Sequence, residues 1–385
     1  MPELSFLLNG EPRSVSYEEG MNLLDVLRDQ CDVTSPKDGC APQGACGCCT
    51  VMVDGRAVLS CLRKPESAEG KSVTTLEGIS ERKRRLLAEA FVREGGLQCG
   101  YCTPGIAARV ASLLDRTPQV NEEQIRKALN GHICRCTGYQ RIVDAVLTAS
   151  EAWEDDALPD YHGPRRSDLF GASRGLKRSP PPGGNGAGVG GNALRYRGSE
   201  QTLGDKPYVA DMSTAGMLHG AVVMSRHPRA DVLEIDISAS SSLPGVERVL
   251  TAADVPGDRF VGLIRKDWPV FVAEGETTRC VGDVLALVLA DTRFHAKQAA
   301  EALEESVRYQ ALDPVSDPVE ALCEDSPRVH EGGNLLDVCA YTRGDVQVAL
   351  AECAHVVEGT FVTQRIEHAF LEPEACLAVP AGPAG

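Results

Sequence analysis

QCGYCTPG, from Gln98 to Gly105, and CRCTGYQ, from Cys134 to Gln140, bracket one stretch of chain with two cysteine pairs, Cys99/Cys102 and Cys134/Cys136. Four thiolates delivered this way suit an iron-sulfur cluster or a zinc ion. Cys-x2-Cys lets two sulfurs converge across a tight turn, whereas Cys-x-Cys makes a shorter, more strained loop that is unusual for structural zinc. The second spacing therefore favours iron-sulfur, with a zinc-binding scaffold as the alternative. Another group lies upstream. In KDGCAPQGACGCCTV (Lys37 to Val51) the thiols Cys40, Cys46 and Cys49 are spaced x5 then x2, and Cys61 closes VDGRAVLSC. The plant-type ferredoxin spacing is Cys-x4-Cys-x2-Cys with a distant fourth cysteine, so this loop carries one extra residue. Gly39, Gly44, Ala45 and Gly47 keep the loop small and let backbone amides approach inorganic sulfide. Cys31 and Cys48 are read as non-ligand thiols.

Outward from these groups, local signals place the loops. LSFLLNG and SVSYEEG read as two strands around Asn9-Gly10, and CTVMVDGRAVLSC as a hairpin turning at Asp54-Gly55 that delivers Cys61 back to its group. Between them MNLLDVLRDQ places Leu23, Leu24 and Leu27 on one helical face. From Ser80 onward the pattern turns helical. SERKRRLLAEAFVREGG stops at Gly95-Gly96, and Thr103-Pro104 reads as an N-cap with proline at the first helical position. Asn121 with Gln124 forms a capping-box pattern, and a fourth helix runs from about Tyr139 to Trp153. Each cysteine pair then sits at a helix junction, so the four helices form a small bundle that clamps its cluster between two loops.

The formal charge of -16 excludes a phosphate-backbone partner, which needs basic surface. Ten of the fifteen cysteines precede Ser150. The opening MPELSFLLNGEPR lacks the basic head and apolar run of an export signal, and no window is long enough to span a membrane. Free ligand thiols fit a reducing, cytoplasmic location. DLFGASRGLKRSPPPGGNGAGVGGN is too poor in apolar residues to build a core and reads as a linker; its glycines lack the strand and helix of a nucleotide loop. After Leu203 short apolar strands return, with CVGDVLALVLAD (Cys280 to Asp291) as a near-continuous apolar strand and RFHAKQAAEALEESVRY as a helix. Cys280, Cys323, Cys339, Cys353 and Cys376 read as single buried thiols.

Two four-cysteine groups in this order, with QCGYCTPG and CRCTGYQ, resemble the iron-sulfur portion of the xanthine dehydrogenase and aldehyde oxidoreductase family of molybdenum hydroxylases. The resemblance implies that Cys40, Cys46, Cys49 and Cys61 bind one 2Fe-2S cluster, and that Cys99, Cys102, Cys134 and Cys136 bind a second. It places Gln98 and Cys136 beside the pterin of a molybdenum cofactor. The later segments resemble the hammerhead-like domain that opens the family's molybdenum-cofactor subunit. The expected fold class is therefore α+β. A β-grasp 2Fe-2S ferredoxin-like domain covers 1–78, a four-helix 2Fe-2S domain 79–155, a flexible linker 156–203, an α/β hammerhead-like domain 204–318, and the start of a molybdopterin-binding domain 319–385.

No flavin domain fits in the linker, and the chain looks like the N-terminal part of a larger fused protein. The resemblance implies electron transfer from a molybdenum-pterin cofactor through two 2Fe-2S clusters to a separate flavoprotein subunit or another acceptor. The substrate is a small purine or aldehyde. Direct fusion and the Cys-x5-Cys-x2-Cys loop look closest to selenium-dependent xanthine dehydrogenases, with aldehyde oxidoreductases as the runner-up and a stand-alone electron-transfer subunit as a further alternative. A homo-oligomer is left open, and no catalytic residue is assigned. RIEHAFLEPEA (Arg365 to Ala375) resembles a segment near the molybdenum pocket, but Ile366 stands where some members carry a glutamine, so Glu367 and His368 read as a structural pair.

Overall fold

The computed structural model describes residues 1–155 and 194–380, so residues 156–193 of the expected linker lie outside the described residues. The chain forms two compact units, Met1–Met212 with Ile366–Gly385, and Ser213–Arg365. Among the described residues, no helix is long and apolar enough to cross a membrane.

In the first unit, strands β1 (Glu3–Leu8) and β2 (Glu11–Ser16) flank Asn9 and Gly10, both at positive φ as a two-residue hairpin of this type requires. Leu4, Phe6 and Leu8 alternate inward while Glu3, Ser5 and Leu7 face out. Helix α1 (Leu23–Asp25) starts on an Asn22/Asp25 capping box and runs directly into a π-helical stretch, Val26–Gln30. Strands β3 (Thr50–Val53), β4 (Arg56–Leu59) and β5 (Ser72–Thr74) complete a sheet in the order β2-β1-β5-β3-β4, with β1 and β5 parallel. This is the β-grasp arrangement expected of the first cysteine group.

Four helices follow: α2 (Glu81–Glu94), α3 (Thr103–Leu114), α4 (Glu122–Ala128) and α5 (Gln140–Glu151). Gly95 ends α2 in the left-handed region, and the Asn121/Gln124 capping box forms with both hydrogen bonds in place. The N-cap of α3 departs from expectation. Thr103 is its first helical residue and Cys102 takes the cap position, so a candidate ligand stands at the helix start. Sheet and bundle share one core, in which Met52 and Leu76 pack with Leu87, Phe91, Ile106, Val110 and Leu114. Each of these large side chains contributes about 1.5–3 kcal/mol by leaving water. Ser112 on α3 donates to Gly55 O at 3.0 Å and accepts from Ala57 N at 3.2 Å, which fixes the β3–β4 hairpin onto the bundle.

The end of the stretch expected to be linker is helical. Helix α6 (Gly198–Leu203) packs on α2 and α3 with Gln201 and Thr202 buried, and a Cβ at Gly198 would stand 2.9 Å from Val92. Only a glycine lets α6 approach this closely.

In the second unit, β6 (His219–Met224), β11 (Val284–Ala290) and β8 (Val246–Thr251) form an antiparallel sheet with β11 central. Helix α8 (Arg293–Ser306) packs against it through Ala299, Ala300 and Leu303, which meet Val223, Leu285 and Val288 in one core. β7 (Ala230–Glu234) pairs with β12 (Arg308–Ala311), and β9 (Phe260–Val261) with β10 (Trp268–Pro269). Helix α7 (Ser238–Ser241) precedes β8. Helix α9 (Val346–Glu352) buries none of its residues. The five thiols expected to be buried are not: Cys280 is half-buried, and Cys323, Cys339, Cys353 and Cys376 are exposed. Four of them belong to a stretch in which the short elements make no core of their own, so the residue's preference for burial finds nothing to pack against.

Candidate iron-sulfur and cofactor site

In the first group Cys46, Cys49 and Cys61 are buried and Cys40 is half-buried. Cys61 lies in a 3-10 turn, Ser60–Leu62, directly after β4, and its Sγ stands 3.3 Å from Cys49 Sγ. Ser60 holds this pair by donating its hydroxyl and its amide to Cys49 O, at 2.7 and 3.3 Å. Cys46 takes hydrogen bonds from Cys48 and Cys40 that, against burial, push its thiol down to about 6. Asp38 caps the loop by accepting from the amides of Cys40 and Ala41 at 3.3 and 2.8 Å.

The second group pairs in the same way. Cys99 and Cys136 are 3.6 Å apart, sulfur to sulfur. Cys102 is hydrogen-bonded to Cys134, which, against burial, is pushed down to about 5 with help from Thr137. Burial pushes Cys99 up to about 11. Two thiolates on one tetrahedral metal with bonds of ~2.3 Å sit roughly 3.8 Å apart. The Cys49–Cys61 and Cys99–Cys136 separations are near that spacing, and the thiols of Cys46, Cys49 and Cys134 are all pushed down toward the ionised form that a metal ligand must take. Among the described residues no three His, Cys, Asp or Glu side chains converge as they would around one ion. Pairing two by two is what a two-iron cluster needs, with each iron taking two thiolates. The donor set fits 2Fe-2S better than a single zinc.

Cys102 and Gln140 lie at the starts of α3 and α5, so partial positive charge from both helix N-termini faces the second group and favours the extra negative charge of a reduced cluster. The two groups meet along a glycine seam. A Cβ at Gly105 would lie 2.5 Å from Gly47 O, and one at Gly47 would lie 2.6 Å from both Gly131 O and the His132 ring. Across this seam Ile133 N donates to Cys46 O at 2.9 Å, which links one candidate ligand to the residue beside another, Cys134. Thr50 gives its hydroxyl proton to Gly47 O at 2.7 Å, so His132 Nε2 is the donor in its 3.0 Å bond to Thr50. Burial and Arg109 push His132 down to about 4, leaving it neutral at the seam. Cys48 is also here, fully buried, with its thiol pushed up by its bond to Cys46 and by burial. It is a fifth thiol beside the first group, and it stays protonated.

Gln98 and Cys136, read together from the sequence, are in contact: Gln98 Nε2 donates to Cys136 O at 2.9 Å. A cavity of about 710 Å³ opens beside them, lined by Cys99, Cys136, Tyr208, Leu371, Glu372 and Cys376 among others. The chain just before its Phe370–Cys376 lining is fastened by Arg135, whose Nε and Nη2 donate to His368 O at 2.5 Å and Glu367 O at 3.1 Å. Glu367 and His368 thus contribute backbone carbonyls while their side chains remain exposed.

Sequence models match in the order of these elements. A 2Fe-2S iron-sulfur cluster binding domain covers residues 6–76 and a 2Fe-2S binding domain 75–147. The aldehyde oxidase and xanthine dehydrogenase a/b hammerhead domain covers 203–313, and a molybdopterin cofactor-binding domain 329–385. The small FeS subunit of nicotinate dehydrogenase from Eubacterium barkeri is 44% identical over 145 residues, 37% of this chain and 92% of that subunit. The chain belongs to the xanthine dehydrogenase and aldehyde oxidoreductase family of molybdenum hydroxylases. An aldehyde oxidoreductase of Megalodesulfovibrio gigas is 32% identical over 387 residues, 96% of this chain and 41% of that protein. The solved aldehyde oxidoreductase from Desulfovibrio gigas superposes with a TM-score of 0.69 at 30% identity, covering 86% of this chain and 36% of that one. This molybdenum hydroxylase chain therefore spans about two-fifths of the aldehyde oxidoreductase it matches, and carries two 2Fe-2S domains ahead of hammerhead and molybdopterin-binding sequence.

What the sequence did not signal is the contribution of α6 and the stretch after it. Gln201 and Tyr208 bond to Cys99, and Asp211 pairs with Lys37 and Arg28. No spacing in the sequence relates these residues to the cysteines.

Proposed function

We propose that this chain is the electron-transfer portion of a molybdenum hydroxylase, with Cys40, Cys46, Cys49 and Cys61 holding one 2Fe-2S cluster and Cys99, Cys102, Cys134 and Cys136 the other. The observation that carries this reading is the pairing of the eight sulfurs about a seam crossed by the Ile133–Cys46 hydrogen bond. When bound, a molybdenum-pterin cofactor supplies two-electron hydroxylation with oxygen from water, and the clusters supply one-electron transfer. Gln98 and Cys136 line the cofactor side of the second group. Arg135 steadies the chain just before the cavity's Phe370–Cys376 lining through the carbonyls of Glu367 and His368. One hydrogen bond and the peptide from Ile133 to Cys134 connect the groups, while Gly47, Gly105 and His132 close the seam to water. Ala41, Gln43 and Ala45 are exposed, which makes the Cys40 loop the exit toward a separate flavoprotein subunit or another carrier.

Two substrate classes follow from the family. Collinearity with an aldehyde oxidoreductase over 96% of the chain supports aldehydes, whereas the extra residue between Cys40 and Cys46 supports the purine, selenium-dependent reading. Steady-state assays of the holoenzyme containing this chain separate them. Turnover of aldehydes without xanthine or hypoxanthine is the expected result, and purine turnover alone would reverse the assignment.

A further inference from the structure

The segment from Gly198 to Asp211 reaches the candidate ligand loops from outside both matched iron-sulfur domains, which end at residue 147. Two of its buried side chains converge on one atom: Gln201 Nε2 and Tyr208 Oη donate to the carbonyl oxygen of Cys99 at 2.9 and 2.6 Å. Gly100, at φ +83°, makes room for them, since a Cβ there would stand 3.0 Å from both Gln201 Cβ and Tyr208 Oη. The Tyr208 ring is held in turn, edge to face with Tyr101 at 5.2 Å and beneath Lys37 Nζ at 5.1 Å. Tyr101 Oη donates to Asp38 O at 2.8 Å, so the same packing reaches the Cys40 loop. A carbonyl taking two hydrogen bonds from buried donors cannot rotate its peptide freely, and the sulfur on that residue is oriented with it.

We propose that Gln201 and Tyr208 are positioning residues for the second cluster: by pinning the Cys99 peptide they set the orientation and hydrogen-bond environment of that ligand, and so the cluster's reduction potential. This rests on the assignment of Cys99 as a cluster ligand. Hydrogen bonds around ligand residues are among the levers that fix such potentials. Each donor directs the positive end of its dipole at the ligand residue, so its loss makes the added electron less favourable.

The test is potentiometric titration of Tyr208→Phe and Gln201→Asn holoprotein, followed by electron paramagnetic resonance. The signal that Cys134→Ser abolishes marks the second cluster. The expected result is a lower midpoint potential and altered g-values for that signal alone, with iron content and the other signal unchanged. Unchanged potential and g-values in both variants, even with lowered thermal stability, would reduce the contacts to a structural role and overturn the proposal. So would a shift confined to the other signal. If Tyr208→Phe does not fold, Gln201→Asn alone decides by the same readouts. Wild-type protein lacking the second signal altogether would instead defeat the cluster assignment on which the proposal rests.

Discussion

Replacing Cys134 with serine is expected to remove one of two paramagnetic signals and about half the iron, since each two-iron cluster depends on four thiolates. The size of the effect follows from the geometry. Cys134 is hydrogen-bonded to Cys102 and is pushed down to about 5, so it is a readily ionised sulfur. A serine hydroxyl in its place stays protonated and gives up a soft donor to a soft metal site. The first group shares no sulfur with the second, and its Cys49–Cys61 pair at 3.3 Å is held by Ser60, far along the chain from the substitution. Its signal is therefore retained. Cys48→Ser serves as the control: Cys48 is a protonated neighbour, and both signals are expected to survive its loss. Simultaneous loss of both signals in Cys134→Ser would show that the eight sulfurs do not form separate sites.

Asp211→Ala is expected to cost about 3–5 kcal/mol of stability, the range for removing one partner from a buried ion pair. Lys37 and Asp211 are each 1% exposed at the side chain, and Arg28 is 10% exposed and donates to Asp211 Oδ1 at 2.8 Å. Burial alone would push the Asp211 carboxyl up, but Lys37 and Arg28 together hold it below the usual carboxylate range. Removing it leaves two cations in the interior, beside the loop that leads to Cys40. Because the folded carboxyl is depressed, its contribution is present at neutral pH and is lost as the pH falls through the carboxylate range. Thermal unfolding at neutral pH is expected to drop by roughly 10 °C in the variant, with the difference from wild type shrinking in acid. A drop of about 1 °C, or a difference independent of pH, would mean the pair is not buried as described.

The parts of this fold that were legible in the sequence rest on short-range chemistry. Asn9-Gly10 and Asp54-Gly55 announce hairpins because their backbones must enter the left-handed region, and both do. Asn121 and Gln124 announce a helix start because each side chain satisfies the other's backbone amide. The cysteine spacings announce metal chemistry because thiolates must converge. Thr103 misleads because Thr-Pro is a good cap signal, whereas the turn through Gly100 and Cys102 already provides the start. The π-helical stretch after Asp25 carries no pattern distinguishing it from an α-helix. Gln201, Tyr208 and Asp211 were hidden for another reason. Their partners are 102, 109 and 174 residues away, and the Gly/Pro-rich stretch before them disguises the return of ordered packing.

Metal and sulfide analysis of the anaerobically prepared chain, combined with electron paramagnetic resonance after reduction, tests the central claim most directly. The account predicts about four iron and four acid-labile sulfide per chain with two distinguishable signals, from two clusters of two irons each. Colourless protein carrying zinc, or iron in a single signal that no cysteine of the Cys99 group affects, would contradict it.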